Sequence, residues 1–423
     1  MKKSLLLIVA VLLCLSLTAC NSNPVPTGTN AGSGGFTEVQ KPDTLPSSGW
    51  VTHNTSSRFP CAFTDSGFFF MHNACLYYMD TTTGYTVPLC GKAGCPHGLR
   101  TCDAYIDSTV QMLFYHNKKV YYAVYEQYGY ELYARDQDGT GLQKLAVLGE
   151  QHNSSSTSAQ VNYWAYAYGD LYYSMEVDKV TVGDDNSYFY ENGYYVLMKY
   201  DLSTGEEEEL LRSEDELIAL SGANDDMAVV YMVHVPTQEE RERPDYTEYM
   251  KQFPSYLRLW HKESGGVSTL CEADRSTINA MLGIANGKMH MNGGKDTETY
   301  AYDFASGTLE ISDLPKEVNR IWSEKYGGVK WEGYYDLEAG TYYTNEYNTM
   351  PLPAGINGFG AVPLGFGEQG FIVDEVYMKD RHGVYDIYVY YPFEKMNDGM
   401  QLYDRLIFMR WDESGYELIQ PEG

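Results

Sequence analysis

Positive charge is scarce in this chain of 423 residues: 30 Lys and Arg stand against 58 Asp and Glu, a formal net charge of −28. Phosphate backbones are bound by clustered Lys and Arg, so nucleic acid is excluded as an expected partner. Anionic lipid head groups are disfavoured for the same reason, and the excess acid suits solubility. Long apolar runs are also missing beyond residue 20, and no later stretch approaches the ~20 residues that cross a bilayer as a helix. Catalytic signatures are absent too. There is no G-x-S-x-G elbow and no H-E-x-x-H pair, and none of the nine histidines sits in a recognisable catalytic setting. The sequence therefore makes no positive case for an enzyme. A glycan-acting hydrolase or lyase, with carboxylates opposed across the fold, stays open as an alternative.

The first twenty residues are different in kind. Lys2 and Lys3 precede an apolar run from Leu5 to Leu17, and Leu17-Thr18-Ala19 then places small residues before Cys20. Signal peptides end in small residues at the cleavage site. A cysteine directly after them resembles the lipobox of bacterial lipoproteins. The resemblance implies cleavage after residue 19, acylation of Cys20 and attachment to the outer face of the cytoplasmic membrane through that lipid. Residues 20–49 continue with NSNPVPTGTNAGSGG, a composition that reads as a flexible tether. The folded domain is expected over 50–423.

Tyrosine is abundant there, with 40 Tyr against 15 Phe and 6 Trp, and it suits the half-buried surface of a sheet. A turn recurs: an aromatic or apolar strand, usually an Asp, two or three small or polar residues, then Gly. It is seen in YYMDTTTG (77–84), YARDQDGTG (133–141), KYDLSTG (199–205), LWHKESGG (259–266), YAYDFASG (300–307), YYDLEAG (334–340) and MRWDESG (409–415). Asp caps such turns by accepting backbone N–H groups, and Gly supplies the positive φ that closes them. Strands before and after each turn make a unit of three or four antiparallel strands. Repetition at this loose period predicts an all-β fold, a β-propeller of seven blades, with six or eight as alternatives. Two insertions interrupt the pattern. Residues 237–253 (TQEERERPDYTEYMKQF) are expected as a helix, and 345–370, rich in Gly and Pro, as a long loop.

The sharpest local motif is Cys90-x4-Cys95-x-His97-x4-Cys102, with Gly91, Gly94, Pro96 and Gly98 holding the backbone in turns. Three sulfurs and one imidazole suit tetrahedral zinc at a structural site with no open position. An exported protein, however, also meets oxidising conditions. Cys61, Cys75, Cys90, Cys95, Cys102 and Cys271 allow fifteen pairings, so a disulfide, free thiols and zinc all remain open. No other cofactor is expected.

The lipobox, the tether, the Tyr-rich repeats and the Leu89–Tyr105 knuckle together resemble a group of exported propeller lipoproteins of unknown function from Gram-positive gut bacteria. The resemblance covers the whole chain and implies the propeller fold and surface attachment, but supplies no catalytic residues. The expectation is a non-catalytic binding or scaffold module for a glycan, a peptide or a surface protein, or else a structural subunit of a surface assembly. Exposed aromatics of the two insertions, Tyr246, Tyr249, Tyr347 and Phe359, are the candidate ligand contacts, because sugars stack on aromatic faces.

Overall fold

A computed structural model describes residues 36–421 apart from 43–44, 56–58, 96, 98–99, 127–128, 184–186, 276–277, 279, 294–297, 324, 330–332, 345–357, 380–381, 394–405 and 413–414. Cys20, Tyr347, Pro96 and Gly98 lie outside the described residues. The strands group into seven antiparallel sheets of four or five strands, and these are the blades of a seven-bladed propeller. Blades 1 to 7 span 61–88, 110–148, 157–213, 216–273, 280–311, 318–344 and 358–418.

Each of the seven expected turns falls in a different blade. The Asp80 carboxylate accepts the N–H groups of Thr82 and Thr83 at 3.0 and 2.7 Å, and Gly84 follows at φ 76°. Asp201 does the same for Ser203 and Thr204, Asp303 for Ala305 and Ser306, and Asp336 for Glu338 and Ala339. An acceptor at this position orders the turn locally, which fixes the register of the two strands it joins.

The core is distributed around the ring. Seven apolar clusters each join two neighbouring blades. Successive strand residues are buried on both faces because every blade is packed between two others, as in Lys119–Glu126, where five consecutive residues are buried. Blades 1 and 7 are each built from consecutive strands, and among the described residues they exchange none. Their seam is closed by rings instead. Phe408, fully buried, lies 5.2 Å from Phe68 and 5.1 Å from Phe70, both edge-on, and 6.2 Å from Phe59. Gln420 adds two hydrogen bonds to the backbone of Thr86.

The segment before blade 1 is also held. Val39 donates its N–H to the Val267 carbonyl at 2.8 Å, and Leu45 and Trp50 are buried against blades 4 and 5. Val51–Thr52 then pairs with the inner strand of blade 4, Glu216–Ala223, and Asn54–Thr55 with the inner strand of blade 3, Thr157–Ala167.

The two insertions depart from expectation. Residues 237–253 form two short helices, Gln238–Arg241 and Tyr246–Tyr249, followed by a 3-10 turn at Met250–Gln252. Thr237 and Glu240 form a reciprocal capping box at the first helix. Pro244 breaks the run, since it lacks an N–H and its ring clashes with a continuing helix. Within 345–370, Gly358–Phe366 is the inner strand of blade 7 rather than loop. Among the described residues no helix is long and apolar enough to cross a membrane.

Candidate functional site

The knuckle grows directly from blade 1. After the outer strand Thr86–Pro88, Leu89 continues the ladder by donating to the Leu76 carbonyl, and Cys90 follows. The chain returns at Cys102–Ile106, where Leu76 donates to Ala104 O at 2.9 Å and Ile106 donates to Ala74 O at 2.7 Å. Both ends of the motif are thus stapled to one strand, and the tip folds back on itself. Gly94 at φ 70° and His97 at φ 50° make that reversal, which left-handed backbone favours. Lys92 ties the two limbs by bonding Thr101 O at 3.0 Å and pairing with Asp103.

The ligand atoms of Cys90, Cys95, His97 and Cys102 converge, all within 4.8 Å of one another. His97 Nδ1 lies 3.5 Å from Cys102 Sγ. Tetrahedral zinc with bonds of ~2.0–2.3 Å needs donors about 3.3–3.8 Å apart, so a small contraction closes the set around one ion. All six described cysteines are free thiols. Burial pushes the Cys102 thiol up to about 12; the Ala104 amide opposes this, and Cys90 and Cys95 add to it. Cys90 also feels desolvation, yet amides of Lys92 and Asp103, with Cys102 and Cys95, hold it below the usual thiol range. Amides aimed at sulfur stabilise thiolate, and a dication would supply the charge that lets all three ionise.

The knuckle is wedged among blades. Arg135 of blade 2, fully buried, donates from Nη1 to Leu89 O at 3.1 Å. A Cβ on Gly91 would meet Thr140 at 3.0 Å, and one on Gly139 would meet Leu89 backbone at 2.7 Å. Cys90, Cys95 and Cys102 belong to the same apolar cluster as Phe68, Phe70, Tyr388 and Phe408, the cluster that joins blade 1 to blade 7.

A second feature lies at the centre of the ring. A cavity of about 640 Å³ is lined by the inner strands of blades 1, 2, 3, 6 and 7 and by residues 50–54. Its walls carry Trp50, Phe63, Trp164, Trp322, Tyr326 and Phe366, with Arg320 and Lys325 as cations. This volume falls in the range of small-molecule sites. Sequence reasoning missed it, because its residues run from Trp50 to Glu368 and only ring closure assembles them.

Tyr246 and Tyr249 are not among the residues that line this cavity. Tyr246 and Tyr249 are half-buried in the blade 4 insertion. Tyr249 donates to Glu240 Oε1 at 2.8 Å, lies under Arg243 at 4.0 Å and meets Phe253 edge-on at 5.3 Å. Despite some desolvation, the Thr237 amide, Tyr249 and His234 hold the Glu240 carboxyl at about 2. Phe359 is in the inner strand of blade 7, paired with Tyr377. A further aromatic surface stands elsewhere: the hairpin of Asp170–Val182 and Tyr188–Asp201 in blade 3 exposes Tyr188, Phe189 and Tyr190 by more than half each (63%, 56% and 58%).

No family model matches the chain, and no curated protein does either. Solved structures similar to it include an oligogalacturonate lyase from Vibrio parahaemolyticus, 11% identical, covering 78% of this chain and 88% of that one at a TM-score of 0.45. The acylaminoacyl peptidase of Pyrococcus horikoshii is 11% identical at a TM-score of 0.44, covering 86% of this chain and 52% of that one. TolB from Acinetobacter baumannii is 11% identical at a TM-score of 0.32, covering 76% and 77%. At such identities the likeness concerns fold alone.

Proposed function

We propose that the protein is a lipid-anchored binding module on the outer face of the cytoplasmic membrane, held there through acylated Cys20. Its propeller engages a glycan, a peptide or a surface protein without chemical turnover. The observation that supports a binding role best is the aromatic-lined central cavity of about 640 Å³. Rings that stay partly accessible in a concave site offer stacking surface at low entropic cost. The insertion aromatics Tyr246, Tyr249, Tyr347 and Phe359 are proposed as outer contacts for a larger ligand. The exposed Tyr188–Tyr190 edge is a second surface, suited to a protein partner because contiguous apolar exposure marks interaction sites.

The knuckle has a different role in this reading: a structural zinc held by Cys90, Cys95, His97 and Cys102. Four protein donors leave no position for substrate, so the ion would brace the fold and take no part in chemistry. A disulfide would use two of the three sulfurs and leave the third beside His97.

The binding reading is tested with residues 21–423 on glycan and peptide arrays, comparing wild type with Trp322→Ala and Tyr249→Ala. Selective binding weakened by Trp322→Ala supports the cavity, and weakening by Tyr249→Ala alone moves the site to the insertion. A bound glycan released in cleaved form would replace the module with an enzyme, and absence of selective binding on both arrays would refute the reading.

A further inference from the structure

The central cavity carries a cation with no acidic partner among the described residues. Arg320 lies on the inner strand of blade 6, Val318–Ile321, and lines the cavity. Its guanidinium sits over the Trp322 ring at 4.2 Å and donates from Nη2 to His53 O at 3.3 Å and Asn54 Oδ1 at 3.4 Å. Its Nε is sealed from solvent and has no acceptor among the described residues. No described Asp or Glu lies within ion-pair distance of it, although Lys and Arg elsewhere pair repeatedly in this acidic protein. A cation with a sealed, unpartnered nitrogen and no acidic partner among the described residues is costly to keep.

Glu368 is the one carboxylate of the lining, and no ion pair joins it to Arg320. Cys61 is a buried thiol raised to about 12 by desolvation, and so neutral, while His53 is held at about 4 by burial and by Arg320 and is also neutral. Lys325 is exposed and adds positive charge at the rim, and Glu368 is exposed. A second N–H donor of the lining, Trp164 Nε1, is likewise buried without an acceptor. The Trp322 indole nitrogen also lacks one, but it is pressed against Gly328, where a Cβ would come within 2.2 Å. Trp322 therefore serves as a plate beneath Arg320. Among the lining residues the buried orphans are all donors.

Resting on the binding reading above, we propose that the cavity takes a ligand with a single carboxylate on a flat or apolar ring, the carboxylate on Arg320 and the ring among Trp322, Phe63 and Phe366. Guanidinium matches carboxylate geometry with two donors at once. With Lys325 and Glu368 of opposite sign in the same lining, Arg320 leaves one positive charge for a ligand to balance. A dianion such as a phosphate monoester would meet the field of a chain with formal net charge −28.

The test uses acid and amide pairs of one shape, benzoate with benzamide and cyclohexanecarboxylate with its amide, added to residues 21–423 at neutral pH. Binding is read by quenching of the cavity tryptophans. The expected result is that at least one acid binds about tenfold or more tightly than its amide, that Arg320→Gln removes this preference, and that Lys325→Gln leaves most of it. Because Arg320 also holds residues 53–54, Arg320→Lys is made alongside. It keeps the charge and loses the fork, and should retain only part of the preference. Equal binding of acid and amide overturns the carboxylate assignment while leaving the binding reading standing. Failure of every acid to bind at ~10 mM, when the arrays show a neutral ligand displaced by Trp322→Ala, overturns it as well.

Discussion

Phe408→Ala should open the ring at its seam. Phe408 is fully buried and meets Phe68, Phe70 and Phe59 at 5.2, 5.1 and 6.2 Å across the boundary between blades 7 and 1. Truncating a buried Phe to Ala costs about 3–5 kcal/mol from lost transfer and residual cavity. Each aromatic pair adds ~0.5–1.5 kcal/mol beyond area, though these contributions overlap and place the loss at the upper end of that range. Among the described residues no strand is shared across this seam, so the side chains carry the contact. Against a typical global stability of ~5–15 kcal/mol, the variant should lose a third or more. Urea unfolding of residues 21–423, followed by tyrosine and tryptophan fluorescence, measures the loss. Ile311→Ala, at a position 66% exposed on the outer edge of blade 5, serves as the control and should stay within ~0.5 kcal/mol. A loss below ~1 kcal/mol for Phe408→Ala would refute the claim that aromatic packing closes this ring.

Three further outcomes are expected. Cys102→Ser should lower the melting temperature and expose the 90–102 segment to protease, and a chelator should do the same to the wild type but not to the variant. Burial holds His53, His72 and His290 at about 4, below the unfolded value of ~6.5. Their contribution is therefore complete above ~6.5 and lost as pH falls from there toward 4, which a series of melts across pH 7 to 4 would record. Asp374 is shifted the other way, to about 7, by desolvation with Asp386 and Glu375 adding repulsion. It favours the fold below its unfolded value of ~3.9 and loses that contribution as pH rises through 7, so Asp374→Asn should raise the melting temperature more at pH 8 than at pH 5.

The parts of the structure legible in the sequence are those set by neighbours along the chain. Gly84, Gly141, Gly205, Gly265, Gly307, Gly340 and Gly415 each mark one blade, because each closes a turn with positive φ. The knuckle was equally plain, since its four donors lie within thirteen residues. The single helix expected over 237–253 is instead two short ones, because Pro244 outweighs the helix-forming run around it. The inner strand Gly358–Phe366 was hidden by its glycines. They suit close approach at the crowded centre, where a Cβ on Gly365 would fall 2.4 Å from Cys61 Sγ, yet in isolation they read as loop. Arg320 and Trp322 carried no local signal at all. Their role depends on His53, Phe63 and Phe366, which reach them only when seven sheets close into a ring.

The claim most directly open to measurement is that residues 90–102 form a metal site braced into the seam of that ring. Native and denaturing mass spectra of residues 21–423, with and without thiol alkylation, decide it. A metal site gives a native mass higher by one zinc, with Cys90, Cys95 and Cys102 alkylated only after denaturation. A metal-free native mass with the loss of two hydrogens, or three thiols alkylated in the folded protein, would contradict it.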